Sequence, residues 1–147
     1  MDKILVIDYG SQYNELIVRR VRDLGVYALL IDNKTDLSIF DKNEIKGIIL
    51  SGGPNSVNDQ NSPKINPEIF SFNVPILGIC YGMQALAHYF GGVVQENVVK
   101  EYGNTEIVFN DDSLLFKGVN KTSQVFMSHS DTVSNLPPEF KSICSSK

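Results

Sequence analysis

Apolar positions in the first half of the chain fall into short runs separated by helix-period stretches. Residues 3–8 (KILVID) form a nearly continuous apolar run, the pattern of a parallel strand buried on both faces. Tyr13, Ile17, Val21 and Leu24 then recur at helical spacing, after Ser11 as a candidate cap and before Gly25 as a stop. Residues 26–31 predict a second strand. Residues 47–50 predict a third, ending in the turn Ser51-Gly52-Gly53-Pro54. The polar stretch to Pro63 reads as a loop, and Asn66-Pro67 opens a short helix with proline at its first position. Residues 75–79 predict a fourth strand and residues 81–90 a helix closed by Gly91-Gly92.

The second half has little helical periodicity. Residues 93–100, 106–109, 124–128 and 141–144 read as shorter strands with turns between them. Four early strands joined by crossovers imply a parallel sheet with right-handed connections, which the later strands extend or flank as a side sheet. The expected fold class is α/β: an open, mostly parallel sheet flanked by helices, with extra short antiparallel strands in the second half. Ligands of such sheets bind at the carboxyl ends of the strands. Three loops lie there: residues 9–12, residues 51–54, and Cys80 with its neighbours.

Composition narrows the class. The 147 residues are 42% hydrophobic and 20% charged, as expected for one folded domain with a substantial core. A net charge of −4 argues against a broad basic footprint for nucleic acid. No apolar run approaches the roughly 18 residues of a membrane-spanning helix. The first residues enter a strand-like run at once, without the pattern of a signal peptide. Cys80 and Cys144 are far apart and form no CxxC pair, which argues against a zinc site or a disulfide scaffold and suits a cytoplasmic location.

The sharpest chemical feature is Gly78-Ile79-Cys80-Tyr81-Gly82-Met83-Gln84. A cysteine between an apolar strand and a helix, with glycine two positions before and after, has the layout of a nucleophile elbow. Its place at a helix N-terminus favours a thiolate. An attack on a carbonyl would need oxyanion donors, and the N–H groups of Gly53 and of Tyr81 are the natural pair. Met127-Ser128-His129-Ser130-Asp131, after a strand, could bind a polar ligand or supply a base; it could equally be a solvated turn. The loop Asp8-Tyr9-Gly10-Ser11-Gln12-Tyr13 opens a helix but matches neither dinucleotide nor P-loop spacing.

On these residues the chain resembles the class I (triad-type) glutamine amidotransferases. The elbow around Cys80 and the Ser51-Gly52-Gly53-Pro54 turn carry the class. The Asp8–Tyr13 loop, the Arg19-Arg20-Val21-Arg22 run with Leu24-Gly25-Val26, and Met127-Ser128-His129 with Asp131 and Val133 are similar to the glutaminase domains of GMP synthases. The resemblance covers essentially the whole chain and implies a flavodoxin-like domain in which Cys80 attacks the side-chain amide of glutamine. A γ-glutamyl thioester forms, ammonia leaves, and water releases glutamate. It further implies that Gly52 and Gln84 help hold glutamine, and that the backbone from Ser128 through His129 and Ser130 to Asp131 binds its amino acid end or faces the partner. That partner is an ATP-pyrophosphatase synthetase domain or subunit, which aminates XMP to GMP with ATP and magnesium. The glutaminase domain itself uses no cofactor or metal. A homodimer of the full enzyme fits the same expectation.

The sequence departs from the family twice. Ser130 stands where the family pattern has glycine, which matters if that position needs a positive φ. The family's catalytic base and its orienting carboxylate lie in a His-Pro-Glu motif, absent here. His88 falls eight residues after Cys80, about 12 Å along a helix axis, beyond the reach of a base. The expectation is therefore a class I domain incomplete at its C-terminus, retained from a longer protein and inactive or nearly so alone. The competing readings are a non-catalytic amidotransferase-like subunit that regulates a synthetase, a flavodoxin-like nucleotide binder using the Asp8–Tyr13 loop, and a class I amidotransferase serving another synthetase.

Overall fold

The computed structural model describes residues 1–110 and 113–146, and of residues 97–101 it describes the backbone alone. The chain divides into two compact units, Met1–Phe90 and Gly91–Lys147.

The first unit is a four-stranded parallel sheet in the order β2-β1-β3-β4. Its strands are β1 (Lys3–Asp8), β2 (Tyr27–Asp32), β3 (Ile45–Leu50) and β4 (Ile76–Gly78). All four were legible in the hydrophobic pattern, with ends shifted by one or two residues. Helix α1 (Asn14–Asp23) follows β1, and its Val18 packs with Val6 of β1 and Ala28 of β2, bordered by Ile4, Ile17, Val21, Leu30 and Ile49. Leu5 and Ile7 alternate to the opposite face of β1 and are buried there.

Two details of α1 differ from expectation. The inward stripe runs through Asn14, Ile17, Val18 and Val21, leaving Tyr13 65% and Leu24 83% exposed. Ser11 does not cap the helix: its Oγ accepts from Tyr13 N at 3.0 Å, closing a turn before the helix begins. Gly25 ends the helix as expected, with φ +86° and its N–H donating to Arg22 O. The segment opened by Asn66-Pro67 is a 3₁₀ helix (Pro67–Phe72), capped by Asn66 Oδ1 accepting from Glu68 N.

The second unit is an antiparallel sheet in the order β6-β5-β7. It is a separate sheet, not an extension of the parallel one. Two of its strands are longer than expected, and the third, expected at residues 141–144, forms instead at Cys144–Ser146. β5 (Val93–Phe109) runs through the turn expected near residues 101–105, because Gly103 takes φ +101° and keeps its pairing with Met127. β6 (Thr122–Asn135) contains the whole Ser128–Asp131 cluster, so that cluster lies inside a strand and is not a turn after one. β7 (Cys144–Ser146) pairs with residues Ile107 to Phe109 of β5. Val94 and Pro137 are the buried residues among those described in this unit.

Candidate active site

The carboxyl ends of β1, β3 and β4 bring three loops together in the first unit. The third carries Cys80, between β4 and helix α2 (Tyr81–Tyr89). Cys80 has φ 51° and ψ −113°, a conformation that side chains other than glycine rarely adopt and that costs on the order of 1–3 kcal/mol. The flanking glycines are what permit it. A methyl group at Gly78 would lie 2.7 Å from both the N and Cα of Met83, and one at Gly82 would lie 2.2 Å from the carbonyl oxygen of Leu50. Gly82 therefore lets the first turn of α2 settle directly on the end of β3, where its N–H donates to Ser51 O at 3.0 Å. This is the elbow geometry expected from the sequence.

The second loop begins at Ser51. Its hydroxyl is fully buried and accepts from Tyr9 N at 3.3 Å, and its own N–H donates to Ile7 O. A methyl at Gly52 would touch Cys80 Cβ at 3.6 Å and Ser11 at 3.7 Å, so Gly52 lies between the cysteine and the first loop. A methyl at Gly53 would strike the carbonyl oxygen of Tyr9 at 2.2 Å. The N–H groups of Gly53 and Tyr81 donate to no other group among the described residues.

The first loop is held from below. Asp8 Oδ1 accepts from Gly10 N at 2.7 Å and from the side-chain amide of Asn14. Asn14 is buried, and its Oδ1 has no partner among the described residues. Tyr9 is 3% exposed, and its ring lies 5.4 Å from that of Tyr81 at 56°. Burial pushes the Tyr9 hydroxyl up to about 12 and raises that of Tyr81, which donates to the carbonyl of Pro63. Sequence reading placed this loop at the sheet's edge without giving Tyr9 or Ser51 a role; their signal was position alone, at the ends of adjacent strands.

Cys80 differs from expectation in its ionisation. The residue is exposed, yet the protein packed around its base pushes the thiol up from its ordinary value, with burial as the cause. Among the described residues no cationic side chain stands near enough to offset it.

The remaining candidates are placed as follows. Gln84 sits one turn into α2, 5% exposed, its N–H donating to Cys80 O at 3.1 Å. His88 lies further along α2 and lines a cavity of about 260 Å³ with Val57, Ile65, Tyr81, Ala85 and Tyr89. Ser128, His129, Ser130 and Asp131 belong to β6 of the second unit. In its ladder Ser128 faces Tyr102, His129 faces Glu101 and Asp131 faces Glu96, with a register shift between Glu96 and Glu101. His129 Nδ1 lies 3.0 Å from the backbone carbonyl of Asp131.

Comparison with known proteins agrees with this geometry. A family model for glutamine amidotransferase class-I matches residues 5–147. A GMP synthase [glutamine-hydrolyzing] of Petrotoga mobilis is 50% identical over 141 residues, 96% of this chain and 27% of that protein. A protein of the same name from Lactobacillus acidophilus is 49% identical over 147 residues, 99% of this chain and 28% of that protein. The chain thus spans little more than a quarter of the length of these curated relatives. A crystal structure from Thermoplasma acidophilum, of a protein assigned as one subunit of a GMP synthase, superposes with a TM-score of 0.82 at 33% identity, covering 99% of this chain and 73% of that one. With the family model spanning nearly the whole sequence and the elbow in place, the chain belongs to the class I glutamine amidotransferases.

Proposed function

We propose that Cys80 is the nucleophile of a glutaminase that serves a GMP synthase. The observation that carries the reading is the strained elbow at Cys80 beside two uncommitted backbone donors, Gly53 N–H and Tyr81 N–H. Attack of the sulfur on the glutamine side-chain carbonyl forms a tetrahedral oxyanion, which these donors would hold. Collapse expels ammonia and leaves a γ-glutamyl thioester; water then releases glutamate and regenerates the thiol. Gly52, beside Cys80, would leave room for the substrate, and Gln84 would steady it from the first turns of α2. Ser128, His129, Ser130 and Asp131 would bind the amino acid end of glutamine or face the partner.

The sulfur must lose a proton that burial holds in place. In this reading the base comes from outside these residues: His88 lies too far along α2, the family resemblance assigns His129 to the substrate edge and not to the triad, and no His-Pro-Glu motif is present. The ammonia would pass to an ATP-pyrophosphatase synthetase domain or subunit, fused or separate, that aminates XMP to GMP. ATP and magnesium belong to that partner. Among the described residues no three His, Cys, Asp or Glu side chains cluster as metal ligands. No described helix is long and apolar enough to cross a membrane, and the reading places the reaction in the cytoplasm.

The test is labelling with a glutamine-mimicking diazoketone in the complete protein, followed by peptide mass mapping. The reading expects Cys80 labelled, with protection by glutamine; label on Cys144 with Cys80 untouched overturns it. The bare surroundings of the Cys80 sulfur favour one second reading, a non-catalytic subunit that binds and regulates a synthetase. That reading expects tight partner binding and no ammonia release from the complete protein.

A further inference from the structure

Tyr9 touches both halves of the proposed donor pair. Its carbonyl oxygen occupies the space beside Gly53, where a methyl would come within 2.2 Å, and its Cβ stands 3.3 Å from the same point. Its N–H is tied to Ser51 Oγ, two residues before Gly53. Its ring packs on the ring of Tyr81, the residue that carries the other donor. Both rings are buried, and the far end of Tyr81 is fixed by its hydrogen bond to Pro63 O. The loop that carries Tyr9 is itself anchored. Asp8 takes hydrogen bonds from Gly10 and Asn14, and a methyl at Gly10 would meet Pro54 Cδ at 3.3 Å.

We propose that Tyr9 is a positioning residue that sets the separation of the Gly53 and Tyr81 N–H groups, and through it the stabilisation of the oxyanion. The proposal deepens the glutaminase reading and rests on it. Tyr9 touches neither substrate nor sulfur in this role; it acts through the two donor residues. Donors of an oxyanion hole work only within a few tenths of an ångström of the right distance, and a misplacement of about 1 Å costs on the order of 100-fold. The ring and backbone carry the role, and the hydroxyl, neutral over any practical assay range, contributes shape and no charge.

The experiment compares Tyr9→Leu, Tyr9→Ala and Tyr9→Phe in the complete protein with its synthetase present. It measures kcat and KM for glutamine hydrolysis, the pH profile of kcat, and alkylation of Cys80 by iodoacetamide, a displacement that needs no oxyanion donors. Leu keeps most of the buried volume, so that variant reports even if Ala fails to fold. The proposal expects kcat to fall about 10- to 100-fold in the Leu variant, with KM within about threefold. Phe regains most of that loss with a wild-type pH profile, and iodoacetamide reacts at the wild-type rate throughout. A folded Leu variant with wild-type kcat overturns the proposal. So does a loss confined to KM, or alkylation that falls in step with kcat, since either would mean the cysteine or the substrate pocket moved instead of the donors. An inactive wild type would sink the glutaminase reading itself, and this proposal with it; an active wild type with an equally active Leu variant sinks only the role of Tyr9.

Discussion

Gly82→Ala tests the physical basis of the elbow. The added methyl would lie 2.2 Å from Leu50 O, 2.6 Å from Leu50 C and 2.7 Å from Leu50 Cβ. Two of these atoms are backbone of a central strand and cannot rotate away. To reach even 3.0 Å from the oxygen, the first turn of α2 must withdraw by roughly 0.8 Å. That movement stretches the bonds Gly82 N–H to Ser51 O and Gly82 N–H to Ile79 O, both 3.0 Å now. Overpacking of this kind costs about 1–3 kcal/mol, and two weakened hydrogen bonds about 1 kcal/mol more, so a loss of about 3 kcal/mol is expected. That is a large part of the stability of an ordinary domain. Gly91→Ala is the matched control: it sits at positive φ, but a methyl there meets nothing within 4 Å. It should cost about 1 kcal/mol of backbone strain alone. Urea unfolding midpoints and iodoacetamide kinetics at Cys80 check both. Equal midpoints for the two variants, with Cys80 reacting at the wild-type rate in Gly82→Ala, would refute the reasoning.

Three further outcomes follow from the same contacts. Burial disfavours the Cys80 thiolate, so its alkylation rate should rise with pH toward a midpoint above the roughly 8.5 of a free cysteine, and folding stability should fall as pH climbs through that range; stopped-flow alkylation with Cys80→Ser as the blank measures it. Asn14→Asp replaces the amide donor to Asp8 with a second carboxyl, so the variant should lose on the order of 2 kcal/mol at pH 7; a urea unfolding midpoint equal to that of wild type would contradict this. Tyr81→Phe removes the tie to Pro63 O while keeping the ring on Tyr9, and should cost about 1 kcal/mol in urea titrations while speeding proteolysis between residues 54 and 65.

The first unit was legible chiefly because its central strands, β1 and β3, are largely buried. A run such as Leu5, Val6 and Ile7 admits one reading, and glycine marks the ends of the helices that follow. The elbow was legible for the same reason: Gly78 and Gly82 are both forced by backbone atoms, and a forced glycine leaves a fixed spacing in the sequence. The second unit was harder because its ribbon has no strongly buried face. Along β6 the outward positions Thr122, Gln124, Phe126 and Ser128 include a phenylalanine 73% exposed, while the half-buried positions Ser123, Val125, Met127 and His129 mix polar with apolar. A period of two is there in the structure but not in the hydropathy, so strand ends were read where none exist. Tyr13 and Leu24 misled in the opposite sense, at helical spacing yet exposed.

The thiol of Cys80 shows what sequence pattern leaves out. A helix N-terminus favours a thiolate, while loss of hydration around the sulfur pushes the thiol the other way. Among the described residues no cation offsets this, so burial leaves the thiol harder to ionise than a free cysteine. An amide is a poor electrophile, and a protonated thiol is a poor nucleophile toward it. Under the proposed glutaminase function the elbow and its donors would serve the second half of the attack, the stabilisation of the oxyanion, while the first half, removal of the proton, would wait on a base. In the glutaminase reading this division has a consequence. The site can be fully formed and still silent, and bringing the base to Cys80 is the step that turns geometry into rate.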